Sequence, residues 1–83
     1  MIFGLYSIRD VKTGFLTPVA EQSKEVAVRN FAHAVKRADS LFFTFANDYS
    51  LYKIAEYDSD SGLVKSLVCP EHVADATEFV KED

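Results

Sequence analysis

The chain has 83 residues, of which 48% are apolar and 13% aromatic, so it has room for one domain with one hydrophobic core, expected to span residues 1–83. No segment approaches the roughly 20 apolar residues that span a bilayer, and the apolar start lacks the basic leader of a signal peptide. The single cysteine, Cys69, leaves no internal disulfide and fits a reducing cytoplasm, and the net charge of −4 argues against a protein that coats nucleic acid.

The first two predicted elements are strands that form a hairpin. Residues 2–9 are rich in β-branched and aromatic side chains, and residues 15–20 are the return strand. The loop between them ends at Gly14, which can take the left-handed conformation that a short hairpin loop needs. Because Pro18 cannot donate a hydrogen bond to a neighbouring strand, the return strand either lies at an edge of the sheet or ends early.

A helix is predicted to begin after Ser23, whose hydroxyl can accept a hydrogen bond from a backbone N–H of the first turn. Glu25 is favourable near the positive end of the helix dipole. The apolar residues that follow are spaced by three and four, as in one buried stripe, until Asp39 and Ser40 end the pattern. The stripe comprises Ala27, Phe31, Ala34, Val35 and Ala38.

The second half is predicted to repeat the order strand, strand, helix. After an aromatic-rich connection over residues 41–49, strands are predicted over residues 50–57 and 63–69, joined by a loop that ends at Gly62. Pro70 suits the first turn of a helix, where its missing N–H costs nothing. The apolar residues of that helix are Val73, Ala76, Phe79 and Val80. The order ββαββα predicts an α+β fold, in which an antiparallel sheet built from two hairpins carries both helices on one face.

Basic residues gather on the polar side of the first predicted helix. Four of them fall at offsets of four, seven and eight, so they share one side. They are Arg29, His33, Lys36 and Arg37. These side chains can contact phosphates. Alternatively they form a solvated face, on which Arg29 pairs with Glu25 while Lys36 and Arg37 complement the negative end of the helix.

Charge divides unevenly along the chain. Residues 1–53 hold seven Lys and Arg against five Asp and Glu, a net of +2, whereas residues 54–83 hold two against eight, a net of −6. An anion-binding surface must therefore come from the first part of the chain.

Aromatic residues are the second candidate site, because exposed rings can stack on unpaired bases. The rings of residues 41–49 cannot all point inward if this segment is extended, so we expect an exposed patch there for bases, a partner or a dimer contact. Its members are Phe42, Phe43, Phe45 and Tyr49. Tyr6, Tyr52 and Tyr57 are instead expected to pack on the sheet.

No set of residues predicts catalysis or a metal site. Asp58, Asp60 and Gly62 are similar to the start of a calcium-binding loop, but the remaining ligands are missing, so a polar hairpin loop is expected. Cys69 and His72 are three residues apart, whereas zinc needs three or four ligands and a Cys–His nucleophile needs a third, orienting group. We therefore expect a binding protein with no catalytic residue, no metal and no cofactor.

Several short motifs occur in an order that resembles a known phage family. They are Leu5-Tyr6-Ser7-Ile8-Arg9-Asp10 with Lys12, Gly14 and Pro18, then Ala27-Val28-Arg29-Asn30-Phe31, then Asp48-Tyr49-Ser50-Leu51-Tyr52-Lys53-Ile54-Ala55-Glu56-Tyr57-Asp58 with Gly62. Their succession over residues 3–70 resembles the small non-structural protein of gokushoviruses, single-stranded-DNA phages of the Microviridae. The resemblance implies a protein of the infected bacterial cytoplasm that binds DNA during single-stranded genome synthesis or the switch toward packaging. It places Arg9, Arg29 and Tyr52 at motif positions.

Two hypotheses about function follow. In the first, the protein binds single-stranded DNA, with Arg29, Lys36 and Arg37 on phosphates and the aromatic patch on bases. The lysines that extend this track are Lys12, Lys24 and Lys53. In the second, it is a protein–protein adaptor that dimerises through an edge strand or the aromatic patch and engages a phage replication initiator or a host protein without binding DNA.

Overall fold

A computed structural model describes residues 1–37 and 39–80, which form an antiparallel sheet with the helical elements on one of its sides. The strands are β1 (Ile2–Asp10), β2 (Gly14–Phe15), β3 (Val19–Glu21), β4 (Tyr49–Asp58) and β5 (Val64–Asp75). The helices are α1 (Lys24–Lys36) and α2 (Leu41–Thr44), and 3-10 turns cover Ala46–Asp48 and Ala76–Phe79. The predicted α+β class with an antiparallel sheet is confirmed.

The sheet is built around β1, which pairs with the return strand on one edge and with β4 on the other. The strand order is β2–β1–β4–β5, and β3 pairs with the same edge of β1 as β2 does. Pro18 falls between β2 and β3, so the return strand is broken there as predicted. Gly14 and Gly62 have φ angles of 103° and 78°, which is the left-handed conformation that the two hairpin turns need.

The predicted helix that begins at Pro70 is wrong, because this segment continues as a strand. β5 runs through Pro70 to Asp75, and only the 3-10 turn after it is helical. Residues 67–70 lie opposite the single residue Ile54 of β4, so the extra residues of β5 form a bulge at the edge of the sheet. A proline is tolerated in an edge bulge, since no ladder hydrogen bond requires its N–H. The order of elements therefore differs from ββαββα, and both helices precede β4.

The hydrophobic core lies between α1 and the sheet. Ser23 caps α1 as predicted, because its hydroxyl accepts the N–H of Val26 at 3.2 Å. From the predicted stripe, Ala27, Phe31 and Val35 are buried. Ala34 is half-buried, and the prediction for Ala38 lies outside the described residues. The other buried members of the core are Tyr6, Tyr49, Leu51, Ala74 and Ala76.

Candidate functional site

The polar side of α1 carries a row of exposed basic side chains. Arg29, His33 and Lys36, which we call the basic row, lie on the side of the helix away from the buried stripe. A rise of 1.5 Å per residue places Arg29 and Lys36 about 10 Å apart along the helix axis. In the part of the chain that the structure describes, none of the three forms an ion pair, and Glu25 does not neutralise Arg29. The row is therefore free to meet an anion.

Arg37 extends the basic row beyond the helix. The helix ends at Lys36, and Arg37 is its C-cap residue, from which the backbone continues in an extended conformation. Its side chain is exposed, and it lines a shallow recess together with Asp39 and Phe42. Arg37 thus connects the basic row to the start of α2.

The aromatic patch divides into two rings that pack inward and two that are exposed. Phe42 lies edge-on to Tyr49 with ring centroids 4.8 Å apart, and Tyr49 belongs to the core. Burial raises the pKa of the Tyr49 phenol, and the carboxylate of Asp10 raises it further. Phe43 and Phe45 are 43% and 54% exposed. The segment turns as a helix instead of running extended, so only Phe43 and Phe45 remain available to a ligand.

Of the three lysines predicted to extend the DNA track, one lies on α1 with the basic row and two lie on other elements. Lys24 is exposed in the first turn of α1, and Lys12 is exposed in the turn between β1 and β2. Lys53 lies opposite Tyr6 on the helix-covered side of the sheet, where its Nζ is 3.2 Å from Oε2 of Glu56. Lys53 is thus held in an ion pair, Lys12 lies on another element, and Lys24 shares α1 with the basic row.

An apolar recess of about 190 Å³ lies beside α1, where the broken return strand leaves the sheet edge incomplete. Its floor includes Ala27, Ala34 and Leu51. At its rim, Nδ2 of Asn30 donates a hydrogen bond to Oε2 of Glu21 at 2.9 Å, which ties α1 to β3. Next to the basic row, the helix therefore offers an apolar surface with a polar rim.

The sheet has a second side that no helical element covers within residues 1–37 and 39–80. Ile8 and its partner Leu51 lie on the side of α1, so Ser7 and its partner Tyr52 lie on the other side. We call this second side the open face. Its ring-bearing residues are Phe3, Phe15, Tyr52, Tyr57 and His72.

The rings of the open face contact one another across the strands. Phe15 lies edge-on to Tyr52 with centroids 5.5 Å apart, and Tyr52 lies edge-on to His72 at 5.4 Å. Ser7, on the strand between the first two rings, is 1% exposed. Its small side chain leaves room for Phe15 and Tyr52 to meet above it, so a continuous row of rings crosses the sheet.

A bulge in β4 adds a second pair of rings to the same face. Tyr52 and Tyr57 are five residues apart, and strict alternation would place them on opposite sides of the sheet. The register shift between Lys53 and Ala55 reverses the alternation. Tyr57 therefore lies beside Phe3, with centroids 6.3 Å apart. This surface was not predicted, because its only sequence signal is the alternation along β1 that places Phe3, Leu5 and Ser7 on one side.

A hydroxyl, a carboxylate and an imidazole meet at one end of the open face. Oδ1 of Asp75 accepts a hydrogen bond from Oγ of Ser50 at 2.6 Å and lies 2.7 Å from Nε2 of His72. The bond from Ser50, and then that from His72, lowers the pKa of Asp75. Because the carboxylate stands between the other two groups, His72 does not contact Ser50 as a general base would. The cluster instead anchors the end of β5.

Comparison with protein-family models gives a match over nearly the whole chain. The family described as Phage ORF5 protein matches residues 3–79. No curated protein and no solved structure matches significantly. Among the described residues, no helix has the length and apolar character needed to cross a membrane.

Proposed function

The chain belongs to the Phage ORF5 protein family, and we propose that within this phage family it is a non-structural accessory protein of a gokushovirus, one of the Microviridae, that binds single-stranded DNA. It acts in the cytoplasm of the infected bacterium during genome synthesis or the switch toward packaging, and it carries out no chemical step. The observation that carries the proposal is the basic row of Arg29, His33 and Lys36, which is exposed and has no acidic partner among the described residues.

The charge distribution favours the side of α1 over other surfaces. Phosphates bound by Arg and Lys release counterions, and this release supplies most of the sequence-independent affinity for DNA. α1 holds Lys24, Arg29 and Lys36 against the single acid Glu25. Most acidic residues of the chain instead belong to residues 54–83, which include β5 and the turn before it. A single strand is therefore attracted to α1 and repelled from the β4–β5 hairpin.

Contacts with the bases come from the exposed rings that follow α1. Phe43 and Phe45 come shortly after Arg37 and the end of the basic row. Stacking of an unpaired base on an aromatic ring contributes about 1–3 kcal/mol and tolerates any sequence, because every base has a π-face. The apolar recess beside α1 offers a second surface for a base. Phosphate contacts along α1 and base contacts at its end thus suit a single strand better than a duplex.

A binding titration with a fluorescently labelled single-stranded oligonucleotide at low salt tests the proposal. The variant Arg29→Ala/Lys36→Ala removes two charges of the basic row. The matched control Arg9→Ala/Lys65→Ala also removes one Arg and one Lys, both exposed and both on the sheet. We expect the first variant to lose most of its affinity and the control to retain it. A native chain that shows no binding at low salt contradicts the proposal.

A protein–protein adaptor is the second candidate function, and one observation favours it. Three neighbouring apolar side chains are strongly exposed, and we call them the apolar cluster: Leu41, which is 62% exposed, Phe43 and Phe45. As an adaptor, the protein uses the apolar cluster to engage a phage replication protein or a host protein. A photoreactive residue placed at Phe45 distinguishes the two functions in infected cells, since it crosslinks to DNA in the first and to one defined phage or host replication protein in the second.

A further inference from the structure

We propose that the open face of the sheet is the contact surface between two copies of this chain. The inference goes beyond DNA binding and does not depend on it, because the open face and the basic row lie on opposite sides of the molecule. It concerns a surface whose rings are in place in the single chain but have no second layer above them in the part of the chain that the structure describes.

The open face is rich in aromatic rings that the single chain only partly buries. Phe3, Tyr52 and Tyr57 are half-buried, and Phe15 is 46% exposed. α1 covers the other side of the sheet, and the central strands β1 and β4 carry apolar or aromatic residues on both faces. Tyr6 and Leu51 face α1, whereas Leu5 and Tyr52 lie on the open face. Strands with two apolar faces occur where both faces are covered, and a sheet with one solvated face alternates apolar and polar residues instead. Within residues 1–37 and 39–80, the open face therefore lacks a covering layer.

The area of the open face is consistent with a protein–protein interface. The strands contain two to twelve residues each. With about 4.8 Å between neighbouring strands and a rise of about 3.3 Å per residue, they give a face of roughly 600 Å². A standard protein–protein interface buries about 800 Å² of accessible surface on each partner. Because side chains add accessible area to a flat face, the open face alone is large enough for a stable dimer.

The charge of the open face favours a second copy of the chain over a nucleic acid as its occupant. The charged residues at the strand positions of the open face are Arg9 and Asp75, which cancel, and His72 is bonded to Asp75. A neutral face gives no counterion release with phosphates, so a strand of DNA gains little there. A second copy presents the same neutral face, so no like charges meet across the contact. The occupant favoured by the charges is thus a second copy of the chain.

The dimer has a defined architecture. Two sheets that pack face to face lie about 10 Å apart, with their inner side chains interdigitated. An isologous contact uses the same residues from both copies, so the rings around Tyr52 meet their counterparts across a two-fold axis. Both α1 helices then lie on the outside. The two basic rows point in opposite directions, and one dimer can hold two separate segments of single-stranded DNA.

Light scattering during size-exclusion chromatography measures the oligomeric state. We expect a mass twice the 9.3 kDa of one chain for the native protein. Phe15→Glu/Val64→Glu places two charges on the open face, since Val64 pairs with Tyr57 and is 58% exposed, and this variant is expected to be monomeric. The matched control Val11→Glu/Val19→Glu changes two residues of similar exposure that lie away from the open face. Val11 lies in a turn and Val19 pairs with Tyr6, so this control is expected to remain a dimer. A monomeric native chain, or an open-face variant that still dimerises, overturns the proposal.

Contacts in the native protein give a second test that does not depend on the folding of any variant. In a sample that mixes isotope-labelled and unlabelled chains, nuclear Overhauser effects between copies arise only from the interface. We expect them from the rings of Phe15, Tyr52 and Tyr57. The proposal is overturned if the contacts between copies involve only Phe43 and Phe45. It is also overturned if the chain is a monomer in which added single-stranded oligonucleotide contacts the rings of the open face.

Discussion

The salt dependence of DNA binding follows from the number of basic residues that meet phosphates on α1. If Arg29, Lys36 and Arg37 each neutralise one phosphate, the logarithm of the binding constant falls with the logarithm of salt concentration with a slope of about −2, since each contact on a single strand contributes about −0.7. A fourfold rise in salt then weakens binding about 18-fold. In Arg29→Ala/Lys36→Ala one contact remains, so the slope falls to about −0.7 and the same rise weakens binding only about threefold.

Fluorescence anisotropy titrations of the native protein and of Arg29→Ala/Lys36→Ala, at four or more salt concentrations, measure the two slopes directly. The control Arg9→Ala/Lys65→Ala has the same formal charge as the test variant, so it separates local contacts from the effect of net charge. We expect its slope to equal that of the native protein. If the two variants have equal slopes, the phosphates do not bind along α1 and the reasoning from the basic row is refuted.

The remaining predictions concern stability, measured by urea unfolding. Gly4→Ala is expected to destabilise the protein by about 1–3 kcal/mol, because the added Cβ would stand 2.6 Å from Cε1 of the buried Tyr6 ring. Removing that ring as well, in Gly4→Ala/Tyr6→Leu, should make the cost of the alanine disappear, and equal costs in both backgrounds argue against the clash. Phe31→Ala should cost about 3–5 kcal/mol, because this side chain is 2% exposed in the centre of the core, and a cost below about 1 kcal/mol contradicts that position. The hydrogen bond from Ser50 lowers the pKa of Asp75 in the folded state. Ionised Asp75 therefore stabilises the fold at pH values above its unfolded-state pKa, and this stabilisation is lost as the pH falls through its folded-state pKa. Unfolding midpoints below about pH 4 should therefore fall more steeply for the native protein than for Asp75→Asn, and parallel curves contradict this.

The elements that depend on local signals were predictable from the sequence. α1 needed only a capping hydroxyl at Ser23 and apolar residues at helical spacing, and the structure places Ala27, Phe31 and Val35 in the core. The hairpin turns needed only glycines able to take a positive φ. The basic row followed from the same periodicity, because residues opposite a buried stripe are exposed.

The elements that depend on long-range pairing were not predictable. The segment after Pro70 has apolar residues at helical spacing, but its pairing with β4, as in Tyr52 with His72, decides that it forms a strand. Tyr52 and Tyr57 share the open face only because of a bulge that no residue pattern reveals. Local propensity is a weak prior wherever tertiary pairing competes with it.

The central claim is that α1 is the side of the protein that binds single-stranded DNA, and mapping of the bound strand by nuclear magnetic resonance tests it most directly. Addition of a short single-stranded oligonucleotide to the isotope-labelled protein should shift the backbone amide signals around Arg29, His33 and Lys36 and the ring signals of Phe43 and Phe45. Signals of the open face, such as those of Phe15, should stay unchanged. Shifts confined to the open face, or no shifts at low salt, contradict the claim.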